Sequence, residues 1–207
     1  MKITPIIYAR STLPENMAFR NGDKSRAVPI DFIIYYIETD DKRILIDAGC
    51  DTMPGFEMRD FIGPVKALEN AGIDKDGITD LIITHAHHDH IEGVSHFGKA
   101  VIHIQKDEYE EGRRYIPEGF DVNIFKDSFS VCKNVEIIKI GGHSKGSCIV
   151  EIKDKDKKYV VCGDECYVRR CLDEKIPTGA SFSHEKSREF IEKYSSSEYL
   201  VLLCHEI

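Results

Sequence analysis

The sequence predicts an α/β fold in which β-sheets carry helices on their outer faces. Short runs of β-branched and aromatic residues recur along the chain, and segments with apolar residues at helical spacing separate some of them in both halves. The chain has 207 residues, of which 42% are hydrophobic and 31% are charged. This length and this balance predict one globular domain, residues 1–207, that buries its core without disulfide bonds.

Nine short apolar runs are predicted to be strands. They lie at 6–8, 32–37, 44–46, 81–83, 101–104, 135–140, 148–152, 159–162 and 199–204. Three segments are predicted to be helices, at 61–71, 107–114 and 184–194. Residues 11–28 match neither pattern and are predicted to form a loop, either a lid over a site or an ordinary surface loop. Within it, Met17 and Phe19 are candidate contacts for a substrate.

Charge, hydropathy and cysteine content together limit the expected partners and location. Lys and Arg number 28 against 36 Asp and Glu, which gives a formal net charge of -8 at pH 7. An acidic protein repels a phosphate backbone, so no nucleic-acid partner is expected. No run is long and apolar enough to span a bilayer, and no signal peptide is visible, so we expect no membrane partner and a cytoplasmic location. The seven cysteines include no Cys-x-x-Cys pair, which favours thiols in a reducing compartment.

The most informative segment is Thr84-His85-Ala86-His87-His88-Asp89-His90, directly after the predicted strand 81–83. In extended chain, His85 and His87 point to the same side, and Asp89 and His90 can curl round to a neighbouring point. Imidazole nitrogens with a carboxylate suit zinc, and also manganese or iron. The alternative is a polar surface loop that is rich in histidine by chance, and the buried strand before the motif argues against it.

The pattern His85-x-His87-x-Asp89-His90 resembles the signature of the metallo-β-lactamase superfamily. Four further elements lie in the order of that family, and the resemblance extends over residues 30–207. They are Leu45-Ile46-Asp47-Ala48-Gly49, Gly142-His143-Ser144-Lys145-Gly146-Ser147, Val161-Cys162-Gly163-Asp164 and Leu203-Cys204-His205. The first motif is strongly specific, whereas each of the others would be a weak signal alone.

The resemblance implies a four-layer αβ/βα sandwich of two mixed β-sheets, with helices on the outer faces and a site for two divalent metal ions. Zinc is favoured, with manganese or iron as alternatives. The implied metal ligands are His85, His87 and His143 for one ion, Asp89, His90 and His205 for the other, and Asp164 as a bridge. Asp47 and Thr84 would orient ligands through hydrogen bonds. His88, His96, His103 and His184 match no family position and are interpreted as structural or exposed.

Two features bear on the substrate. Tyr167 follows Asp164 by three positions, which is similar to acyl-homoserine-lactone lactonases of this superfamily, where a tyrosine phenol reaches the substrate carbonyl. Such a hydroxyl could donate a hydrogen bond to the developing oxyanion, although a tyrosine packed at a sheet edge is the alternative. The thioesterase-like branch continues its motif with Gly-Gly, whereas this chain has Ile91-Glu92-Gly93. Cys166 lies in the same turn as Tyr167, either lining the pocket or as an inert thiol.

The resulting hypothesis is a dinuclear metal hydrolase that opens small lactones or related esters. A hydroxide between the metals would attack the carbonyl, Tyr167 would stabilise the oxyanion, and Asp89 would carry a proton to the leaving alkoxide. A glyoxalase II-type thioesterase, a redox enzyme and a non-catalytic metal-binding protein are the alternatives. The expected partner is a small-molecule substrate, and a homodimer stays open because related hydrolases often pair.

Overall fold

The computed structural model of the chain describes residues 1–53 and 55–207. These residues form two compact units. Unit 1 comprises Met1–Arg10 and Phe32–Lys126, and unit 2 comprises Ser11–Asp31 and Asp127–Ile207. The predicted single domain stays a prediction, since the division into units does not test whether the chain folds as one domain.

The described residues contain eleven strands and six α-helices. The strands are β1 Lys2–Pro14, β2 Ala27–Glu38, β3 Arg43–Ile46, β4 Asp80–Ile83, β5 Val101–Gln105, β6 Val122–Phe125, β7 Ser128–Cys132, β8 Val135–Lys139, β9 Cys148–Asp154, β10 Lys157–Val161 and β11 Tyr199–Leu202. The helices are α1 Glu15–Ala18, α2 Pro64–Asn70, α3 His88–Ile91, α4 Lys106–Gly112, α5 Arg169–Asp173 and α6 His184–Tyr194. Short 3-10 turns, including Gly163–Glu165, join several of them.

The sheet of unit 1 has six strands in the order β1-β2-β3-β4-β5-β6. Strands β2 and β3 are antiparallel, whereas β3, β4, β5 and β6 are parallel to one another. Leu45, Ile82 and Ile102 on the parallel strands are fully buried, as continuous apolar runs in a parallel sheet require. Because β3 and β4 run the same way, the segments that follow them leave from the same edge of the sheet.

The sheet of unit 2 has five strands in the order β11-β10-β9-β8-β7. Strand β9 is antiparallel to both β8 and β10, and β10 is parallel to β11. Strands β8, β10 and β11 therefore run in one direction and end at the same edge. Helix α6 buries Phe190, Ile191 and Tyr194 in a core cluster with residues of β9, β10 and β11.

Two mixed sheets with accompanying helices confirm the predicted α/β class. All nine predicted runs overlap strands, but β6 and β7 were not predicted, because polar residues interrupt their apolar pattern. The helix predicted from residue 61 begins at Pro64. Gly63 precedes it with a φ of 76°, and proline suits the first helical position, where no backbone N–H is needed.

The prediction of a loop over residues 11–28 was largely wrong. Strand β1 continues to Pro14, α1 follows it, and β2 begins at Ala27, so only residues 19–26 connect regular elements. Phe19 is buried in the core cluster of unit 2, which makes it a packing residue rather than a substrate contact. Met17 is exposed, and a role of this segment as a lid stays a prediction.

All seven cysteines are free thiols, and six of them are buried, in agreement with the prediction that most pack in the core. Among the described residues, no helix is both long enough and apolar enough to cross a membrane.

Candidate metal centre

In unit 1 the predicted ligands follow directly from the carboxyl end of β4. Asp47, which follows β3, holds this turn in place with a left-handed backbone (φ 63°) and a buried side chain. Its Oδ1 accepts a hydrogen bond from the backbone N–H of Thr84 at 2.8 Å, and its Oδ2 accepts one from Thr84 Oγ1 at 2.9 Å. The structure thus joins Asp47 and Thr84 by two hydrogen bonds, and their role in orienting ligands stays a prediction.

The same carboxylate fixes the tautomers of two histidines. His90 Nδ1 lies 2.7 Å from Asp47 Oδ2, so this nitrogen donates, and in the neutral imidazole Nε2 carries the lone pair. Thr84 Oγ1 donates its only hydrogen to the hydrogen bond with Asp47, so it accepts from His85 Nδ1 at 3.1 Å. We therefore assign Nε2 of both His85 and His90 as the atoms that can bind a metal ion.

The other two ligand candidates of unit 1 lie beside these nitrogens. His85 Nε2 is 3.0 Å from His87 Nδ1, and His90 Nε2 is 3.6 Å from Asp89 Oδ2. His85 and His90 are buried, whereas His87 is exposed and Asp89 is partly exposed. The motif therefore places two pairs of potential ligand atoms close together.

Glu108 on α4 is a residue of this region that the sequence did not single out. Its buried Oε2 accepts a hydrogen bond from the backbone N–H of Ala86 at 2.8 Å, between His85 and His87. A backbone amide in this turn has no strand partner, so the carboxylate supplies its acceptor. Glu108 differs from the other acidic residues of this charged helix only in being buried. Burial cannot be read from the sequence directly, so no sequence signal pointed to Glu108.

In unit 2 the predicted ligands follow three strands that end at one edge. His143 follows β8, Asp164 follows β10 and His205 follows β11, and all three side chains are buried. His143 Nδ1 donates to the carbonyl of Ala180 at 2.8 Å, and His205 Nδ1 donates to the carbonyl of Asp31 at 2.9 Å. A carbonyl can only accept, so in the neutral form of each histidine Nε2 carries the lone pair.

Both of these nitrogens lie beside the carboxylate of Asp164. His205 Nε2 is 2.9 Å from Oδ1, and His143 Nε2 is 3.5 Å from Oδ2. Each carboxylate oxygen therefore has a different imidazole next to it, which is the arrangement that a bridging ligand needs.

The chemistry of these side chains fits a divalent cation. Lone pairs that face each other at these distances repel unless a proton or a cation lies between them. The pairs His85 with His87, Asp89 with His90, and His143 with Asp164 each have potential ligand atoms within 4.8 Å of each other. Neutral imidazoles whose other nitrogen donates to a carboxylate or carbonyl are the usual ligands of zinc.

Glu165 was also missed by the sequence analysis. It is fully buried next to Asp164, and its Oε1 accepts hydrogen bonds from the backbone N–H of Gly142 and His143 and from Ser147 Oγ. Burial raises the pKa of the Glu165 carboxyl to about 7. An acidic residue between two predicted site residues, Asp164 and Tyr167, was the available signal.

Tyr167 packs against two predicted ligands of unit 2. Its ring lies nearly parallel to the imidazole of His205, with centroids 5.0 Å apart, and meets that of His143 edge-on at 5.9 Å. Cys166 is fully buried, its Sγ donates to the carbonyl of Val168, and burial raises the pKa of its thiol. These features agree with an inert thiol at Cys166.

The remaining histidines make contacts of structural or exposed residues. His103 is buried between Asp80 and Asn123, His88 contacts Thr52, and His96 contacts Asp51, whereas His184 begins α6 at the surface.

The family follows from a comparison with known proteins. Residues 34–205 match the family described as the metallo-beta-lactamase superfamily. The chain belongs to this superfamily. Membership confirms the predicted family, and the curated relatives are named as metallo-hydrolases and lactonases.

Two curated relatives illustrate this similarity. A probable metallo-hydrolase of Methanocaldococcus jannaschii is 29% identical over 147 residues, which cover 69% of this chain and 64% of that protein, just under two thirds of its length. An N-acyl homoserine lactonase of Bacillus thuringiensis is 24% identical over 169 residues, covering 69% of this chain and 67% of that protein.

The fold is similar to that of a solved lactonase. The crystal structure of a quorum-quenching N-acyl homoserine lactone lactonase superposes with a TM-score of 0.84 at 22% identity. The superposition covers 100% of this chain and 92% of the other.

Proposed function

We propose that this enzyme opens small lactones or related esters, in the manner of an N-acyl homoserine lactonase. The observation that carries the proposal is the position of Tyr167, buried and packed on the imidazoles of His143 and His205. A phenol at this place is close to the side chains proposed to bind metal, where a substrate carbonyl would be activated. The lactonase relative supports the same substrate class.

The proposal includes two divalent metal ions, zinc above all. One ion would be held by His85, His87 and His143, the other by Asp89, His90 and His205, with Asp164 shared between them. This assignment rests on the order of the family motifs and on the Nε2 lone pairs that Asp47, Thr84 and two backbone carbonyls fix in place. When bound, such ions supply an activated water at neutral pH and polarise the carbonyl.

Three side chains of the enzyme would then carry out the ring opening. The Tyr167 hydroxyl donates a hydrogen bond to the oxygen that becomes negative as the carbonyl carbon turns tetrahedral. Asp89 takes up the proton that the attacking water loses as its oxygen bonds to the carbonyl carbon, and it delivers this proton to the alkoxide that leaves when the ring C–O bond breaks. Asp47 keeps the imidazole of His90 in one orientation throughout, through its hydrogen bond at Nδ1.

The test is proton release in a pH-stat, with zinc-loaded protein and four substrates: an acyl-homoserine lactone, a plain γ-lactone, a glutathione thioester and a β-lactam. We expect release from the lactones and a large loss of kcat in Tyr167→Phe, which keeps the packing on His205 but removes the hydroxyl. Release from the thioester alone would replace the lactonase by a glyoxalase II-type thioesterase. Equal turnover by Tyr167→Phe would show that Tyr167 only packs.

A further inference from the structure

We infer that Glu165 is a positioning residue for the metal ligands of unit 2, and that it works as a hydrogen-bond acceptor rather than as a charge. The inference rests on the proposed role of His143 and Asp164 in binding metal. Glu165 is fully buried and lies in the same 3-10 turn, Gly163–Glu165, as Asp164. The ring-opening steps proposed above do not use it.

A single oxygen of Glu165 holds the loop that carries His143. Oε1 accepts from the backbone N–H of Gly142 at 3.1 Å, from the backbone N–H of His143 at 3.3 Å and from Ser147 Oγ at 2.5 Å. Buried amides need an acceptor, and this turn offers them no strand partner. Glu165 therefore ties the loop of one ligand to the turn of another.

Gly142 shows that the loop is built around this side chain. A Cβ at position 142 would overlap Glu165 Oε2, so only glycine leaves room for the carboxyl group. Among the described residues, Oε2 has no hydrogen-bond partner, although it is buried. The two oxygens thus differ, since Oε1 accepts all three hydrogen bonds and Oε2 only fills space. An amide at position 165 can keep the first and place its nitrogen at the second.

The imidazole of His143 is held by a separate segment. Its Nδ1 donates to the carbonyl of Ala180, and its own carbonyl accepts from the backbone N–H of Phe182 at 3.0 Å. Loss of Glu165 would therefore leave the backbone N–H groups of residues 142 and 143 without their acceptor, while the contacts of the ring and of the carbonyl groups persist. The expected result is weaker metal binding and a less precisely positioned His143, rather than complete loss of His143 as a ligand.

The experiment compares Glu165→Leu, which has similar bulk and no acceptor, with Glu165→Gln, which keeps one. In zinc-loaded protein titrated with a chelator, we expect Glu165→Leu to lower zinc affinity roughly 10- to 100-fold, the usual effect of losing a partner of a ligand. With zinc restored, its kcat should fall more than its KM changes. Glu165→Gln should retain zinc and kcat close to the parent, and Ser147→Ala, which removes one of three donors, should fall between.

The visible spectrum of cobalt-substituted protein adds a readout that a general loss of stability would not move. It should change in Glu165→Leu and match the parent in Glu165→Gln. A Glu165→Gln variant as poor as Glu165→Leu would show that charge matters and overturn the inference. Unchanged zinc affinity in Glu165→Leu would overturn it as well. His143→Ala separates the two proposals, because if it also keeps its zinc, the proposed metal site itself is wrong.

Discussion

In unit 1 the four proposed ligands lie within six consecutive residues after one strand, whereas in unit 2 the three lie in separate turns after β8, β10 and β11. The anchoring differs too. In unit 1 two carboxylates, Asp47 and Glu108, hold the ligand segment, while in unit 2 backbone carbonyls orient the rings and Glu165 holds a loop. Ligands of a compact motif can share an anchor, as His85 and His90 share Asp47, but ligands from distant turns each need their own.

The largest effect should come from removing a ligand in either unit. We expect His87→Ala in unit 1 and His143→Ala in unit 2 each to lose bound metal and to reduce lactone hydrolysis to the background rate. The measurement is metal content by mass spectrometry together with pH-stat rates. Replacement of the non-ligand His88 by alanine is the matched control from within the motif. Metal loss in only one of the two variants would contradict the expectation that both units supply ligands.

The next largest effect concerns Asp47, which orients ligands in unit 1. Asp47→Ala removes the acceptor for Thr84 and for His90 Nδ1, so the imidazole loses its fixed tautomer. We expect zinc affinity or kcat to fall roughly 10- to 100-fold, because Asp47 supports a ligand without being one. Asp40→Asn, at an exposed position in the turn between β2 and β3, serves as the control. An Asp47→Ala enzyme with parental zinc affinity and kcat would contradict the assigned role.

The smallest effect is expected at Asp80, where a substitution should change stability but not metal binding. Asp80, at the end opposite the ligands, is buried, and burial alone would raise the pKa of its carboxyl. Hydrogen bonds from His103, Lys42 and Thr79 prevail and lower that pKa to about 2, against 3.8 for the free group. Because the pKa of Asp80 is lower in the folded than in the unfolded protein, its ionised carboxylate stabilises the fold at a pH above the unfolded pKa. This stabilisation is lost as the pH falls from about 4 towards 2.

We therefore expect Asp80→Asn to lower the free energy of unfolding by about 1–2 kcal/mol at neutral pH. The difference from the parent should shrink below pH 4, as urea titrations at several pH values would show. Lactone kcat and metal content should stay at parental values, since Asp80 begins β4 and the proposed ligands of unit 1 follow its other end. A loss of metal in Asp80→Asn would show that the two ends of β4 are coupled.

The candidate ligands of the two units differ in how visible they are in the sequence, for a physical reason. The His85–His90 segment was recognisable because its ligands share one turn, so their spacing is visible along the chain. His143, Asp164 and His205 were found only through the resemblance to the family, since sheet topology rather than spacing brings them together. Glu108 and Glu165 were missed because a buried acceptor for backbone amides has no sequence pattern. Strands β6 and β7 were missed because half-exposed strands carry too few apolar residues.

Asp164 tests most directly whether the proposed ligands of both units act in one dinuclear enzyme. The measurement is zinc content per chain and lactone turnover in Asp164→Ala beside the parent protein. We expect the parent to bind two zinc ions and hydrolyse lactones, and Asp164→Ala to lose zinc and turnover together. Full zinc content with unchanged turnover in Asp164→Ala would contradict the account.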